Sequence, residues 1–167
     1  VDVSGIFPGD VVVEVGPGTG VLTETLLSAG AHVIAVEKDA RCVAELNMRF
    51  EDAIEDHHLI LLEGDMLDKK IEHELYKGIL SGIPPYKVVA NIPYYITGLL
   101  LRHFLEREHQ PTQITFLVQE EVAQLIGGKH QKESFFLLSY SIHRDLHYAR
   151  HVGRAHFDPP PKVDSAI

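Results

Sequence analysis

The chain has 167 residues and a formal net charge of −9. Hydrophobic residues make up 45% of it, which is enough to form one core, so a single domain over 1–167 is predicted. The one cysteine, Cys42, excludes a disulfide framework and favours a reducing compartment, so we expect a cytoplasmic protein. With no apolar stretch of membrane-span length, no visible signal peptide and no histidine spacing typical of metal ligands, neither a membrane nor a metal partner is expected.

The first predicted element is the apolar strand Val11–Val15, which leads into a glycine-rich turn. The turn contains Gly16, Gly18 and Gly20. Glycines let the backbone approach a ligand closely and then open a helix, and the G-x-G-x-G spacing differs from the dinucleotide motif. Because a buried acid is costly without donors, Glu14 is expected to hydrogen-bond the turn's own amides or a cationic ligand. Together these features favour S-adenosylmethionine, which carries an ammonium, over a pyrophosphate.

Acids also follow the next two predicted strands. The strand Val33–Glu37 ends in an acid that can accept both ribose hydroxyls of a nucleoside. The apolar run Leu59–Glu63 leads to Asp65, which can accept a hydrogen bond from an adenine amine. The next residue, Met66, has a polarizable side chain that can pack against the adenine ring. Each acid alone fits a helix cap or a turn equally well, but acids at three successive strands favour a ligand.

A tetrapeptide of distinctive chemistry closes the predicted strand Val88–Asn91, namely Asn91, Ile92, Pro93 and Tyr94. The Asn91 amide oxygen and the Ile92 carbonyl can accept both hydrogens of an exocyclic amine, while the Tyr94 ring lies against the base. Pro93 adds stiffness and no competing donor. The alternative interpretation is an ordinary strand-to-helix turn, in which asparagine and proline are common.

Six segments carry a resemblance to a known family: VEVGPGTG at 13–20, VIAVEKD at 33–39, EGDML at 63–67, VVANIPYYIT at 88–97, LVQEEVAQLI at 117–126 and FDPPPKVDSA at 157–166. In these segments the chain resembles the rRNA adenine N6,N6-dimethyltransferases, the KsgA/Erm family of S-adenosylmethionine-dependent enzymes. Its closing VDSA looks more like the KsgA small-subunit branch. The resemblance implies a Rossmann-like α/β fold, a class I methyltransferase with a seven-stranded, mostly parallel sheet and helices on both faces.

The alternation of apolar runs and polar turns predicts the elements in detail. Strands are expected at Val11–Val15, Val33–Glu37, Leu59–Glu63, Val88–Asn91, Ile114–Val118 and Leu146–Val152. Helices are expected at Val21–Ser28, Ala40–Phe50, Ile71–Leu80, Gly98–Arg107, Glu120–Ile126 and Ser134–His143. A seventh strand is expected to start in Val163–Ile167, and the family's fold implies that it runs antiparallel beside the fifth.

The resemblance also implies site residues and an activity. Glu37 and Lys38 belong to the cofactor-binding segment, and Phe157 faces Tyr94 across a pocket that holds a flipped adenine. The implied reaction transfers methyl groups to the N6 amine of adenosine, dimethylating adjacent adenosines of small-subunit ribosomal RNA during ribosome biogenesis, with a monomer acting on the small ribosomal subunit. Alternatives are an Erm-type large-subunit enzyme, a non-catalytic RNA-binding assembly or transcription factor and, more weakly, a DNA adenine methyltransferase.

The charge pattern and the length of the chain differ from what a complete RNA-binding enzyme of this family would show. An RNA-binding surface should be basic, whereas the acids of this chain concentrate between Glu45 and Glu74. Cations gather in the C-terminal third, at Lys129, Lys132, Arg144, Arg150, Arg154 and Lys162, so a dipolar molecule with one basic face is expected. Compared with the family, we expect a catalytic domain without the N-terminal segment and the small helical C-terminal domain. Glu120 stands where the family more often has lysine, which puts one RNA or surface contact in doubt.

Overall fold

The computed structural model describes residues 3–82, 85–92, 96–127, 147–156 and 163–167. The chain divides into two compact units, Val1–Thr115 and Phe116–Ile167. The predicted helix Ser134–His143 lies outside the described residues.

The first unit contains four parallel strands in the order β3-β2-β1-β4. They are β1 (Val11–Val15), β2 (His32–Glu37), β3 (Leu59–Glu63) and β4 (Tyr86–Asn91). β1 lies between β2 and β4, and its central valines, Val12 and Val13, are fully buried on opposite faces of the sheet. The apolar runs therefore predicted all four strands: β1 and β3 have the predicted bounds, while β2 and β4 start one and two residues earlier than predicted.

One face of this sheet packs against α1 (Val21–Ser28), α2 (Ala40–Arg49) and α3 (Glu51–Glu55). Leu26, Leu46 and Phe50 form a buried cluster with Val12 and Val33. The predicted helix Ala40–Phe50 ends one residue early, because Phe50 leaves the helical conformation at φ −117° and turns its ring into this core.

The opposite face is covered by α4 (Lys69–His73), by a π-helix at Glu74–Ile79 and by α5 (Thr97–Leu105). Tyr86 pairs with Val11 in the strand register and therefore points to the side opposite Val12. The Tyr76 ring meets it edge-on, with centroids 6.5 Å apart, so the prediction of helices on both faces is confirmed. The predicted single helix Ile71–Leu80 is an α-helix up to His73 and is wrong in type from Glu74, since the Leu80 amide donates five residues back to the Leu75 carbonyl.

The second unit continues β5 (Gln113–Gln119) into α6 (Glu120–Gly127) and adds two short strands and one 3₁₀ turn. These are β6 (His151–Val152), the turn at Arg154–His156 and β7 (Ser165–Ala166). β7 runs antiparallel to both β5 and β6 and lies between them. The antiparallel last strand beside the fifth, and the α/β fold with seven mostly parallel strands, are thereby confirmed. The described part of the predicted strand Leu146–Val152 forms a strand only over its last two residues.

Candidate functional site

The predicted site residues of the first unit follow strands whose carboxyl ends share one edge of the sheet. In register, Val15 of β1 pairs with Val36 of β2 and with Ala90 of β4. The glycine-rich turn, Glu37 and Asn91 therefore start from the same edge, where open α/β sheets bind their ligands. Asp65 follows β3, which pairs with β2 along its whole length. The structure thus brings together at one edge the residues that the sequence had placed at four strand ends.

Each glycine of the turn has a positive φ, 69° at Gly16, 57° at Gly18 and 85° at Gly20. A methyl group placed on Gly16 or Gly18 would meet no atom within 4 Å, so the turn presents open space on that side. On Gly20 it would lie 2.6 Å from Phe50 Cε2 and 2.7 Å from Leu46 Cδ2. Two glycines therefore allow an approaching ligand, while the third allows α2 to pack against the turn.

Glu14 lies fully buried beneath this turn. Its Oε2 accepts a 2.8 Å hydrogen bond from the Thr23 hydroxyl, and its Oε1 has no partner among the described residues. Burial raises the pKa of Glu14 to about 7, the Thr23 bond opposes this and the nearby Glu37 charge adds to it. The turn amides expected to bind Glu14 do not do so. Thr23, which could not be identified from the sequence pattern, donates a hydrogen bond to one of the two buried carboxyl oxygens of Glu14.

The buried Glu37 carboxyl group holds the turn instead. Its Oε2 accepts the Gly18 amide at 3.0 Å, and its Oε1 accepts the amides of Lys38 and Asp39 at 2.8 and 2.9 Å. These donors compensate for the burial of the acid. Lys38 contributes its backbone here, while its side chain is exposed.

Asp65 and Asn91 are exposed, whereas the residue directly after each of them, Met66 or Ile92, is buried. Asp65 Oδ1 accepts the Leu67 amide at 2.9 Å, which makes Asp65 a turn residue with its carboxyl group still at the surface. Met66 is 3% exposed and Ile92 is 2% exposed, so both side chains pack into the protein. The ring contact expected of Met66 stays a prediction.

Three predicted site residues, Pro93, Tyr94 and Phe157, lie outside the described residues. The described part of the tetrapeptide ends at Ile92. The aromatic contacts to a base therefore stay predictions.

A residue that sequence reasoning missed contacts the glycine-rich turn from α2. Arg49 Nη1 donates to the Thr19 carbonyl at 2.6 Å, and its Nη2 pairs with the Glu24 carboxylate at 2.6 Å. No local motif signals this contact, because Thr19 and Arg49 are 30 residues apart.

In the second unit, Glu120 is the centre of a polar network. Its carboxylate accepts the Tyr148 hydroxyl at 2.8 and 2.9 Å, the Gln124 amide at 2.8 Å and His151 Nδ1 at 3.0 Å. The hydrogen bond from His151 lowers the pKa of Glu120, and the bonds from Gln124 and Tyr148 act in the same direction. The acid at this position therefore joins α6 to the segment around β6.

The described part of the second unit does not form a uniformly basic surface. A groove of about 490 Å³ is lined by Glu120, Glu121, Gln124, Arg154, Val163 and Asp164. Arg150 and Arg154 are exposed, whereas Lys129, Lys132, Arg144 and Lys162 lie outside the described residues. Of the predicted basic face, the described residues thus show two exposed arginines, of which Arg154 lines an acidic groove.

Two general features concern ions and membranes. Within the described ranges, no group of three or more histidine, cysteine, aspartate or glutamate side chains could hold a metal ion. Nor does any helix in that part of the chain reach the length and apolarity needed to cross a membrane.

Comparison with known proteins shows consistent similarity. The family model described as ribosomal RNA adenine dimethylase matches residues 1–167. Ribosomal RNA small subunit methyltransferase A of Dehalococcoides mccartyi is 40% identical over 160 residues, which cover 96% of this chain and 52% of the relative. The protein of the same name from Lactobacillus delbrueckii subsp. bulgaricus is 38% identical, covering 98% and 57% of the two chains. The chain therefore spans about half the length of these curated relatives.

Solved structures agree with the sequence comparison. A dimethyladenosine transferase from Plasmodium falciparum superposes with a TM-score of 0.71 at 26% identity, covering 99% of this chain and 56% of that one. The 23S rRNA methyltransferase ErmE superposes with a TM-score of 0.69 at 25% identity, covering 99% and 62%.

Proposed function

Because the chain belongs to the ribosomal RNA adenine dimethylase family, we propose that it transfers methyl groups from S-adenosylmethionine to the N6 amine of adenosine in ribosomal RNA. The curated relatives are named as small-subunit methyltransferases, so we place the modified adenosines in small-subunit RNA. In this proposal two adjacent adenosines are dimethylated. One observation carries this proposal: the open glycine-rich turn and Asp65 follow β1 and β3, and Glu37 and Asn91 end β2 and β4, all at one edge of the sheet.

The residues present fit the methyl donor. Gly16 and Gly18 leave open space where a ligand can approach the backbone, and the turn leads into the N-terminus of α1, which favours a carboxylate. Glu37 and Asp65 are the acceptors for ribose hydroxyls and for an adenine amine. Glu14, whose Oε1 has no described partner, adds a carboxyl group below the turn that favours a cation nearby. When bound, S-adenosylmethionine supplies an electrophilic methyl group on a sulfonium.

The described residues at the end of β4 suit a substrate whose amine nitrogen accepts the methyl group. The exocyclic nitrogen of adenine is a poor nucleophile because its lone pair is delocalised into the ring. When Asn91 Oδ1 and the Ile92 carbonyl accept the two amine hydrogens, the lone pair becomes localised and is directed away from these acceptors. The acceptor dipoles also face the positive charge that develops on nitrogen, and most of the rate arises from such positioning and electrostatics.

No side chain needs to act as a strong general base in this scheme. The alkylated amine loses its proton readily to water, because the aromatic ring withdraws electron density from it. Asn91 is exposed at the strand end, so water reaches the site from the surface.

The base itself is held by aromatic side chains in this proposal. Tyr94 and Phe157 stack against the flipped adenine, and each base–aromatic contact contributes about 1–3 kcal/mol. This is comparable with the few kcal/mol required to unstack a nucleotide.

The charge of the chain supports a second candidate function. At −9, and with an acidic groove in the second unit, the chain lacks the overall basic character of a typical RNA binder. The alternative is an assembly or transcription factor of the same fold that does not catalyse methyl transfer, and the cytoplasm is the compartment that we propose for either function.

Transfer of isotope from labelled S-adenosylmethionine to unmethylated ribosomal subunits tests the proposal. Dimethyladenosine in the RNA of the small subunit is the expected product. Label confined to the large subunit would assign the chain to the Erm type. Binding of S-adenosylhomocysteine without any transfer would favour the non-catalytic factor.

A further inference from the structure

The glycine-rich turn is held at two points by side chains of one segment, the end of β2 and the helix α2. Glu37 Oε2 accepts the amide of Gly18 at 3.0 Å, and Arg49 Nη1 donates to the carbonyl of Thr19 at 2.6 Å. One side chain is an acid bound to a donor, and the other is a cation bound to an acceptor.

Between these two contacts lies a continuous chain of hydrogen bonds. The Gly18 amide belongs to the same peptide group as the Pro17 carbonyl, and this carbonyl accepts the Gly20 amide at 2.9 Å. The Gly20 amide in turn belongs to the same peptide group as the Thr19 carbonyl, to which Arg49 donates. Two peptide groups thus connect a carboxyl group to a guanidinium with their dipoles aligned, an arrangement in which neighbouring hydrogen bonds polarise one another.

We propose that Arg49 is a positioning residue for the methyl donor, which keeps the glycine-rich turn in its binding conformation through this chain of hydrogen bonds. The inference rests on the proposed function, since it assumes that the turn binds S-adenosylmethionine. It assigns a role to a side chain on α2 that does not itself contact the donor.

The turn needs such support because of its composition. Gly16, Gly18 and Gly20 all adopt positive φ, and glycine loses more conformational freedom on ordering than any other residue. On the open side of the turn, a methyl group on Gly16 or Gly18 would meet nothing within 4 Å, so little packing restrains the backbone there. If the turn adopts its binding conformation in only a fraction of the ligand-free molecules, the apparent affinity for the ligand is reduced by that fraction.

The shape of the arginine head group suits this role. Its planar fork reaches the Thr19 carbonyl and the Glu24 carboxylate together, while the guanidinium lies 5.1 Å from the centroid of the Phe50 ring. A lysine cannot reproduce this geometry with one ammonium group. The contact to Thr19 is the part that acts on the turn, because its acceptor is a carbonyl of the turn itself, whereas Glu24 belongs to α1.

Calorimetric titration of the chain with S-adenosylhomocysteine, and separately with S-adenosylmethionine, tests the proposal on a set of variants. In Arg49→Ala the dissociation constant is expected to rise by about tenfold, because the turn must then be ordered on binding. Arg41→Ala is the matched control: it removes the same charge from the same helix, but Arg41 is highly exposed and pairs with Asp39. Glu24→Gln removes the ion pair and leaves the Thr19 contact, so affinity should stay within about twofold of the wild type.

Amide hydrogen exchange, measured by NMR on the ligand-free chain, gives a readout that a general loss of stability would not produce. In Arg49→Ala the amides of Gly18 and Gly20 should lose protection, although Gly18 does not touch Arg49. Amides in the centres of β1 and β2 should keep theirs. An equal rise in exchange throughout the chain would mean that Arg49 only stabilises the fold, and would overturn the proposal.

The remaining outcomes are also decisive. Wild-type affinity in a folded Arg49→Ala variant overturns the inference and leaves the proposed function intact. If that variant does not fold, Arg49→Met replaces it, because methionine keeps an apolar stem beside Phe50 and removes every donor to Thr19. A rise of about tenfold in the dissociation constant then supports the positioning role, and wild-type affinity overturns it. A wild-type chain that binds neither S-adenosylhomocysteine nor S-adenosylmethionine refutes the proposed function, and the positioning role with it.

Discussion

Replacing Glu14 with glutamine should remove one defined contribution to the pH dependence of folding stability. Glu14 is fully buried, with one carboxyl oxygen bound to Thr23 and the other without a described partner, and burial raises its pKa from 4.5 to about 7. Below the unfolded pKa of 4.5 the side chain is protonated in both states, and the folded state carries no ionisation penalty.

The magnitude follows from the two pKa values. As the pH rises from 4.5 to about 7, the unfolded chain ionises while the folded chain stays protonated, so the free energy of unfolding falls. Above pH 7 both states are ionised and the penalty is constant, at about 3 kcal/mol, since one pKa unit corresponds to about 1.4 kcal/mol. The stability present at low pH is thus lost through this window.

Urea denaturation at several pH values between 4.5 and 8.5 measures this effect as a difference between the variant and the wild type. Glutamine keeps an acceptor for Thr23 and cannot ionise, so Glu14→Gln should gain stability relative to the wild type as the pH rises, by about 3 kcal/mol in total. Titrating groups that do not interact with Glu14 cancel in the difference. Thr23→Val should move the transition to higher pH, because it removes the hydrogen bond that lowers the pKa of Glu14. A difference that stays flat over this range would refute the reasoning.

Three further predictions concern the site. Asn91→Ala should leave S-adenosylmethionine binding nearly unchanged and slow single-turnover methyl transfer by roughly 10²-fold or more, and wild-type transfer would reduce the tetrapeptide to a turn. Glu37→Ala should weaken S-adenosylhomocysteine binding in calorimetry by about 1–3 kcal/mol, because the Gly18 amide also loses its acceptor, and unchanged affinity would remove Glu37 from the site. Gly20→Ala should destabilise the chain to urea by about 1–3 kcal/mol, since the methyl group would meet Phe50 at 2.6 Å at a φ of 85°; stability equal to the wild type would contradict this packing role.

The positions of the first four strands, the glycine-rich turn and the acids beyond the strand ends could all be predicted from local sequence. A continuous apolar run that ends in glycines has few alternatives to a buried parallel strand. The antiparallel seventh strand was implied by the family resemblance, because the short run at the end of the chain has no periodicity that sets its direction.

Some elements differed where a tertiary contact outweighs local propensity. Phe50 ends α2 early because its ring packs beside Leu46 and Gly20 in the core. The segment Glu74–Ile79 forms a π-helix, although its residues read as the continuation of an ordinary helix.

By itself, the sequence determined which chemical groups stand at the edge of the sheet, because the end of each strand places its next side chain there. Only the tertiary structure decided the partners of these groups, with Thr23 bound to Glu14, Gly18 bound to Glu37 and Arg49 bound to Thr19. These pairs are 9, 19 and 30 residues apart. Such contacts depend on the register between β1 and β2 and on how α1 and α2 lie against the sheet. The spacing of residues along the chain does not contain that information.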